Sequence, residues 1–95
     1  MVIGSLTVSI HIPASHSLKE KRQVVQSVVA RLRRTFNIAV AEVGDQDTWQ
    51  LATIGIACVS GDGRHADEMC QKVLRHLENE GEAQVTTSRF ELIHA

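Results

Sequence analysis

The segment Ser17 to Phe36, SLKEKRQVVQSVVARLRRTF, carries a hydrophobic period that suits a long amphipathic helix and no other local structure. On a wheel of 100° per residue, Leu18, Val25, Val28, Val29, Leu32 and Phe36 share one arc, with Val24 at its margin. Gln23, Ala30 and Arg34 lie opposite, while Lys19, Arg22, Gln26 and Arg33 form a basic stripe along one flank. Ser17 followed by Glu20 matches a capping box, in which hydroxyl and carboxylate each accept from a free N–H group. The β-branched valines lower helix propensity, so burial of the apolar arc has to override that cost. Lys21 points nearer the arc than a lysine should. Its stem is expected to pack while its ammonium reaches water.

The rest of the chain supplies the surface this helix lies on. Leu6, Val8, Ile10 and Ile12 alternate with Thr7, Ser9 and His11, and Val2 and Gly4 extend the register backward. This is a strand with one face on the core, stopped by Pro13. Beyond the helix, Asn37 turns the chain and Ile38 to Val43 reads as a short strand. Gly44-Asp45-Gln46-Asp47 reads as a turn, and Thr48 to Ser60 as the return strand of a hairpin. Ala52, Ile54, Ile56 and Cys58 share one face of that strand, against Leu51, Thr53, Gly55 and Ala57.

Gly61-Asp62-Gly63 breaks the alternation, and from Arg64 to Glu80 the period returns to that of a helix. Ala66, Met69, Cys70, Val73, Leu74 and Leu77 are its apolar positions, with Asp62 as the expected cap and Gly81 as the expected stop. Ala83 to Ile93 is a last strand whose alternation slips between Val85 and Phe90, predicting a bulge near Thr87-Ser88. The order β-α-β-β-α-β predicts an α+β, ferredoxin-like domain spanning residues 1–95. In it, a four-stranded antiparallel sheet carries two helices on one face.

Composition narrows the setting. Hydrophobic residues make up 43% and charged residues 22%, with one Pro and six Gly, which argues against a disordered chain. Cys58 and Cys70 form neither a CxxC pair nor a zinc spacing, and two cysteines suit a reducing cytoplasm better than a secreted scaffold. The N-terminal MVIGSLTVSIHI has no basic leader region, and no apolar run approaches the ~20 residues of a membrane helix. A cytoplasmic location is expected. The net charge of -1 conceals an asymmetry: residues 17–36 hold six basic residues and one acid, against four basic and ten acidic elsewhere. Such polarity can steer a polyanion to one face, or mark only a solvated helix.

SLKEKR at 17–22, ARLRRTFNIAVAEVGDQDTWQLATIGIACVS at 30–60 and the closing acidic helix resemble the YlxP-like family over essentially the whole chain. These are small bacterial proteins classed as a domain of unknown function. The resemblance implies a ferredoxin-like fold and, from genes for translation and ribosome maturation found nearby, an RNA or ribosome context. It implies no catalytic residues.

Local chemistry offers little for an enzyme. Asp45 and Asp47 could ligate a hard cation, but the site has too few ligands, and a turn with Trp49 packed on the hairpin or beneath a helix end is the better reading. His11, His16, His65, His76 and His94 show no ligand spacing, so no metal and no cofactor are expected. Cys58 and Cys70 fall on apolar faces, where thiols behave as small hydrophobes. Gly61-Asp62-Gly63 lacks the lysine and longer glycine loop of a phosphate cradle, and Asp62 would repel an anion. No enzymatic activity is expected.

Two functions remain. Lys19, Arg22, Arg33 and Arg34 suit phosphate contacts, predicting a non-catalytic partner of rRNA or a ribosomal subunit. Base stacking on the sheet is not expected, because its exposed first-strand face is Ser5, Thr7, Ser9 and His11. Alternatively, the open face with Thr7, Ser9, Thr53, Gly55 and Ala57 serves as a homodimeric interaction surface, and edge strands could also pair between copies.

Overall fold

Alternation puts the even-numbered residues of the first strand on one side, and the rest of the molecule is assembled on that side. The computed structural model describes residues 1–95 as β1 (Val2–His11), α1 (Leu18–Thr35), β2 (Ala39–Gly44), β3 (Leu51–Ser60), α2 (Gly63–Glu78) and β4 (Gln84–His94). The strands form one antiparallel sheet in the order β2-β3-β1-β4. With two helices in the β-α-β-β-α-β order, this is the ferredoxin-like arrangement the sequence predicts. Leu6 lies opposite Ile56 on β3 and Phe90 on β4, and Val8 opposite Ile54 and Ser88.

Nineteen buried apolar residues form one cluster, joining Val2, Leu6, Val8 and Ile10 to Val25, Val28, Val29 and Leu32 of α1. Ala66, Cys70, Val73 and Leu77 of α2 complete it. Each fully buried Val or Leu contributes about 1.5–3 kcal/mol, which is what overrides the weak helix propensity of the valines.

Both helix starts follow the sequence. The Ser17 hydroxyl accepts from the Glu20 N–H at 3.1 Å, and the Asp62 carboxylate accepts from the Arg64 N–H at 3.0 Å. The Glu20 carboxylate accepts from the N–H of His16, one residue outside the position a standard capping box assigns.

The element ends, bulges and one side chain depart from expectation. α2 ends at Glu78, not Glu80, and Asn79 rather than Gly81 caps it, its amide donating to the Arg75 carbonyl at 2.8 Å. No glycine adopts positive φ, so the left-handed stop expected of Gly81 is not used. The bulge in β4 falls on Thr86: Ser9 pairs with Thr87 but Ile10 with Val85. β3 starts at Leu51 rather than Thr48, and β2 carries an unexpected bulge at Val43, between Glu42 and Gly44. Trp49 does not pack away; it is 46% exposed.

The opposite face of the sheet carries no helix. Ser5, Thr7, Ala39, Ala41, Gly55 and Ala57 line a shallow open hollow there of about 430 Å³. No helix is long and apolar enough to cross a membrane.

Candidate nucleic-acid interface

The six cations of the α1 segment divide into two that are paired with carboxylates and four that are not. Lys21 belongs to the first group, and corrects the expectation that its ammonium reaches water. The side chain is fully buried, and Nζ donates to the Asp45 carbonyl at 2.7 Å. Nζ also lies 2.8 Å from Oε2 of Glu42, a charge contact whose direction is not that of a hydrogen bond. The ammonium thus ties α1 to the end of β2 and to the hairpin turn.

That turn is held by more than its own backbone. Asp45 sits at φ 59, in the left-handed region that a non-glycine residue enters at a cost. Its carbonyl accepts from both Lys21 and the Thr48 N–H, and its carboxylate accepts from the Thr53 hydroxyl at 2.8 Å. Asp45 is therefore engaged on both sides. The turn closes through the Asp45 carbonyl, not through an Asx side-chain bond. Asp47 is exposed, and no group of three or more His, Cys, Asp or Glu is placed to hold a metal ion.

Arg31 is the second paired cation. Its guanidinium grips Glu80 with two bonds, Nε at 3.2 Å and Nη2 at 2.6 Å, and fastens the C-terminal half of α1 to the segment after α2. His76 stands 3.9 Å from the same carboxylate, its ring edge-on to Phe36.

Lys19, Arg22, Arg33 and Arg34 remain, all exposed and absent from every ion pair in the molecule. They are the four residues the sequence nominated for phosphate contact. Arg33 differs from the others: its Nη2 donates to the Val40 carbonyl of β2 at 2.9 Å, which fixes the guanidinium beside the groove between α1 and β2. Gln26, Ala30 and Arg33 line that groove from the helix, and Ala41 and Glu42 from the strand. Arg33 and Arg34 also fall in the last helical turn, where positive charge offsets the helix dipole. The surface can engage a polyanion at several points.

The two cysteines meet in the core instead. Their sulfurs are 3.9 Å apart, both buried, with Cys58 donating toward the Ala66 carbonyl. Burial first, then the neighbouring Cys58 and Asp67, push the Cys70 thiol up to about 12. A thiol so held is a poor nucleophile.

A family model described as "Protein of unknown function (DUF503)" matches residues 3–90. The uncharacterized protein YlxP of Bacillus subtilis (strain 168) is 39% identical over 75 residues, covering 79% of this chain and 82% of that relative. The matched range contains both blocks on which the resemblance was recognised. The Lys21 contacts to Glu42 and Asp45 join those blocks in space.

Proposed function

This chain belongs to the DUF503 family, and from that premise we propose that it is a non-catalytic accessory protein of RNA or the ribosome, binding phosphate backbone through α1. The observation that carries the reading is the division of cations on that helix. Where structure needs a charge, at Lys21 and Arg31, a carboxylate neutralises it; the remaining four stay exposed and uncompensated. Arginine guanidinium groups bind phosphate with two parallel donors, which suits Arg22, Arg33 and Arg34. The translation-linked gene context that the family resemblance implies supports the same reading. The sheet face has small side chains where base-stacking modules carry aromatics, so contact runs through backbone and shape rather than sequence.

The test is co-sedimentation with ribosomal subunits at low salt, wild type beside Arg22→Glu/Arg34→Glu. Arg33 is left alone because it also holds the Val40 carbonyl. Binding lost in the variant supports the proposal. Binding that survives, or no binding by the wild type, overturns it.

A second reading rests on the uncovered sheet face, where Val43 and Val59 are 59% and 68% exposed beside the hollow. As a protein-interaction surface, it would lose its partner on Ala57→Arg. Retention of assembly in that variant would remove it.

A further inference from the structure

The two free edges of the sheet are treated differently. β2 has six residues, a bulge at Val43, and a carbonyl, that of Val40, engaged by Arg33. Short length, bulges and side-chain cover are the ordinary means by which an edge is kept from pairing. β4 has only one of them, a single bulge at Thr86 near its start. It has eleven residues, contains no Pro or Lys, and beyond Thr86 runs without a bulge to His94. Leu92 and Ile93 on it are 38% and 44% exposed.

We infer that β4 pairs antiparallel with β4 of a second copy of this chain, about a two-fold axis at Phe90. The charges select this register. Arg89 and Glu91 are exposed, ion-paired neighbours on the helix-free face, flanking Phe90. An axis at Phe90 sets Arg89 of each copy opposite Glu91 of the other, so both opposite-charge contacts form at once. An axis at Arg89 or at Glu91 would set like charges face to face. The same register places Leu92 opposite Ser88 and Ile93 opposite Thr87, drawing both exposed apolar side chains into the seam. Because paired residues keep their faces, the result is one eight-stranded sheet with all four helices on the same side. α2 packs over β1, β3 and β4 while α1 lies toward the outer strand β2, so the two α1 helices stand toward the outer ends. At ~4.8 Å per strand they are about 30 Å apart. The inference does not depend on RNA binding.

The experiment is sedimentation equilibrium of wild type, Arg89→Glu, Glu91→Arg, and an equal mixture of the two variants. Both side chains are largely exposed, at 78% and 50%, and far-UV circular dichroism verifies that each variant folds. The wild type is expected at twice the chain mass at micromolar concentration, and each single variant at the chain mass. The mixture is expected to regain the doubled mass, because an all-acidic strand then meets an all-basic one. An internal Arg89–Glu91 contact alone gives no reason for such rescue. A monomeric wild type, a dimer that persists in Arg89→Glu, or a mixture that stays monomeric would each overturn the inference. The double swap Arg89→Glu/Glu91→Arg should dimerise with itself; failure there would also count against the register.

Discussion

Replacing Lys21 by methionine keeps the length of the buried stem and removes only the ammonium. Glu42, its side chain 17% exposed but its Oε2 buried, is then left without its cation, and the Asp45 carbonyl without one of its donors. Removing one partner of a buried pair costs about 3–5 kcal/mol. Here the lower end applies, because the contact to Glu42 lacks hydrogen-bond alignment and the Glu42 side chain as a whole is not fully buried. About 3 kcal/mol corresponds to a fall in Tm of about 15 °C for a chain of this size. Urea denaturation followed by circular dichroism gives the free energy directly. Lys21→Met/Glu42→Leu should recover most of the loss, since apolar replacement of a whole buried pair is often close to neutral. A single variant within about 0.5 kcal/mol of wild type would refute the reasoning, because changes of that size are typical of surface positions. The ammonium would then be in water after all.

Three further outcomes follow from the geometry. A Cβ at Gly4 would lie 3.0 Å from both Cys58 Sγ and Cys70 Sγ and 3.2 Å from the Ala66 carbonyl, so Gly4→Ala should cost about 1–3 kcal/mol in the same urea assay. Asp45→Gly relieves the left-handed backbone while Asp45→Ala does not, so the glycine variant should be the more stable of the two by about 1 kcal/mol, read as a difference in midpoint. The Cys70 thiol, raised from 9.0 to about 12 by burial, binds its proton more tightly folded than unfolded. Its contribution to stability is therefore complete below pH 9.0 and lost as pH rises toward 12, whereas Cys70→Ala should flatten that part of the profile.

The order of elements was legible because each has a clean period: two in β1 and β3, near 3.6 in the helices. The ends were less so. Gly81 has the right identity for a helix stop, but the Asn79 amide reaches the Arg75 carbonyl first. The sequence places an irregularity between Val85 and Phe90, yet only pairing with β1 settles it on Thr86. Trp49 was expected to pack on the hairpin or beneath a helix end from its residue type alone, and nothing in its neighbours dictated that burial.

The candidate interface was half legible. The stripe of Lys19, Arg22 and Arg33 follows from helix geometry, but which cations are already engaged depends on residues far along the chain. Glu42 is 21 positions from Lys21, and Glu80 is 49 from Arg31. One signal was present: in IAVAEV, Glu42 shares the inward parity of Val40, and an inward carboxylate needs a cation. Lys21, oddly close to the apolar arc, was the available one. The Arg33 bond to Val40 had no such signal, since a backbone carbonyl leaves no trace in the sequence.

The central claim is that four uncompensated cations on α1 meet phosphate, and the salt dependence of binding to ribosomal subunits tests it most directly. Four phosphate contacts give a slope of about −3 to −4 in log affinity against log salt, or about a 100-fold loss between 50 and 200 mM. The account predicts that slope for the wild type and its collapse in Lys19→Glu/Arg22→Glu/Arg34→Glu. Affinity indifferent to salt, or a slope the triple variant leaves unchanged, would contradict it.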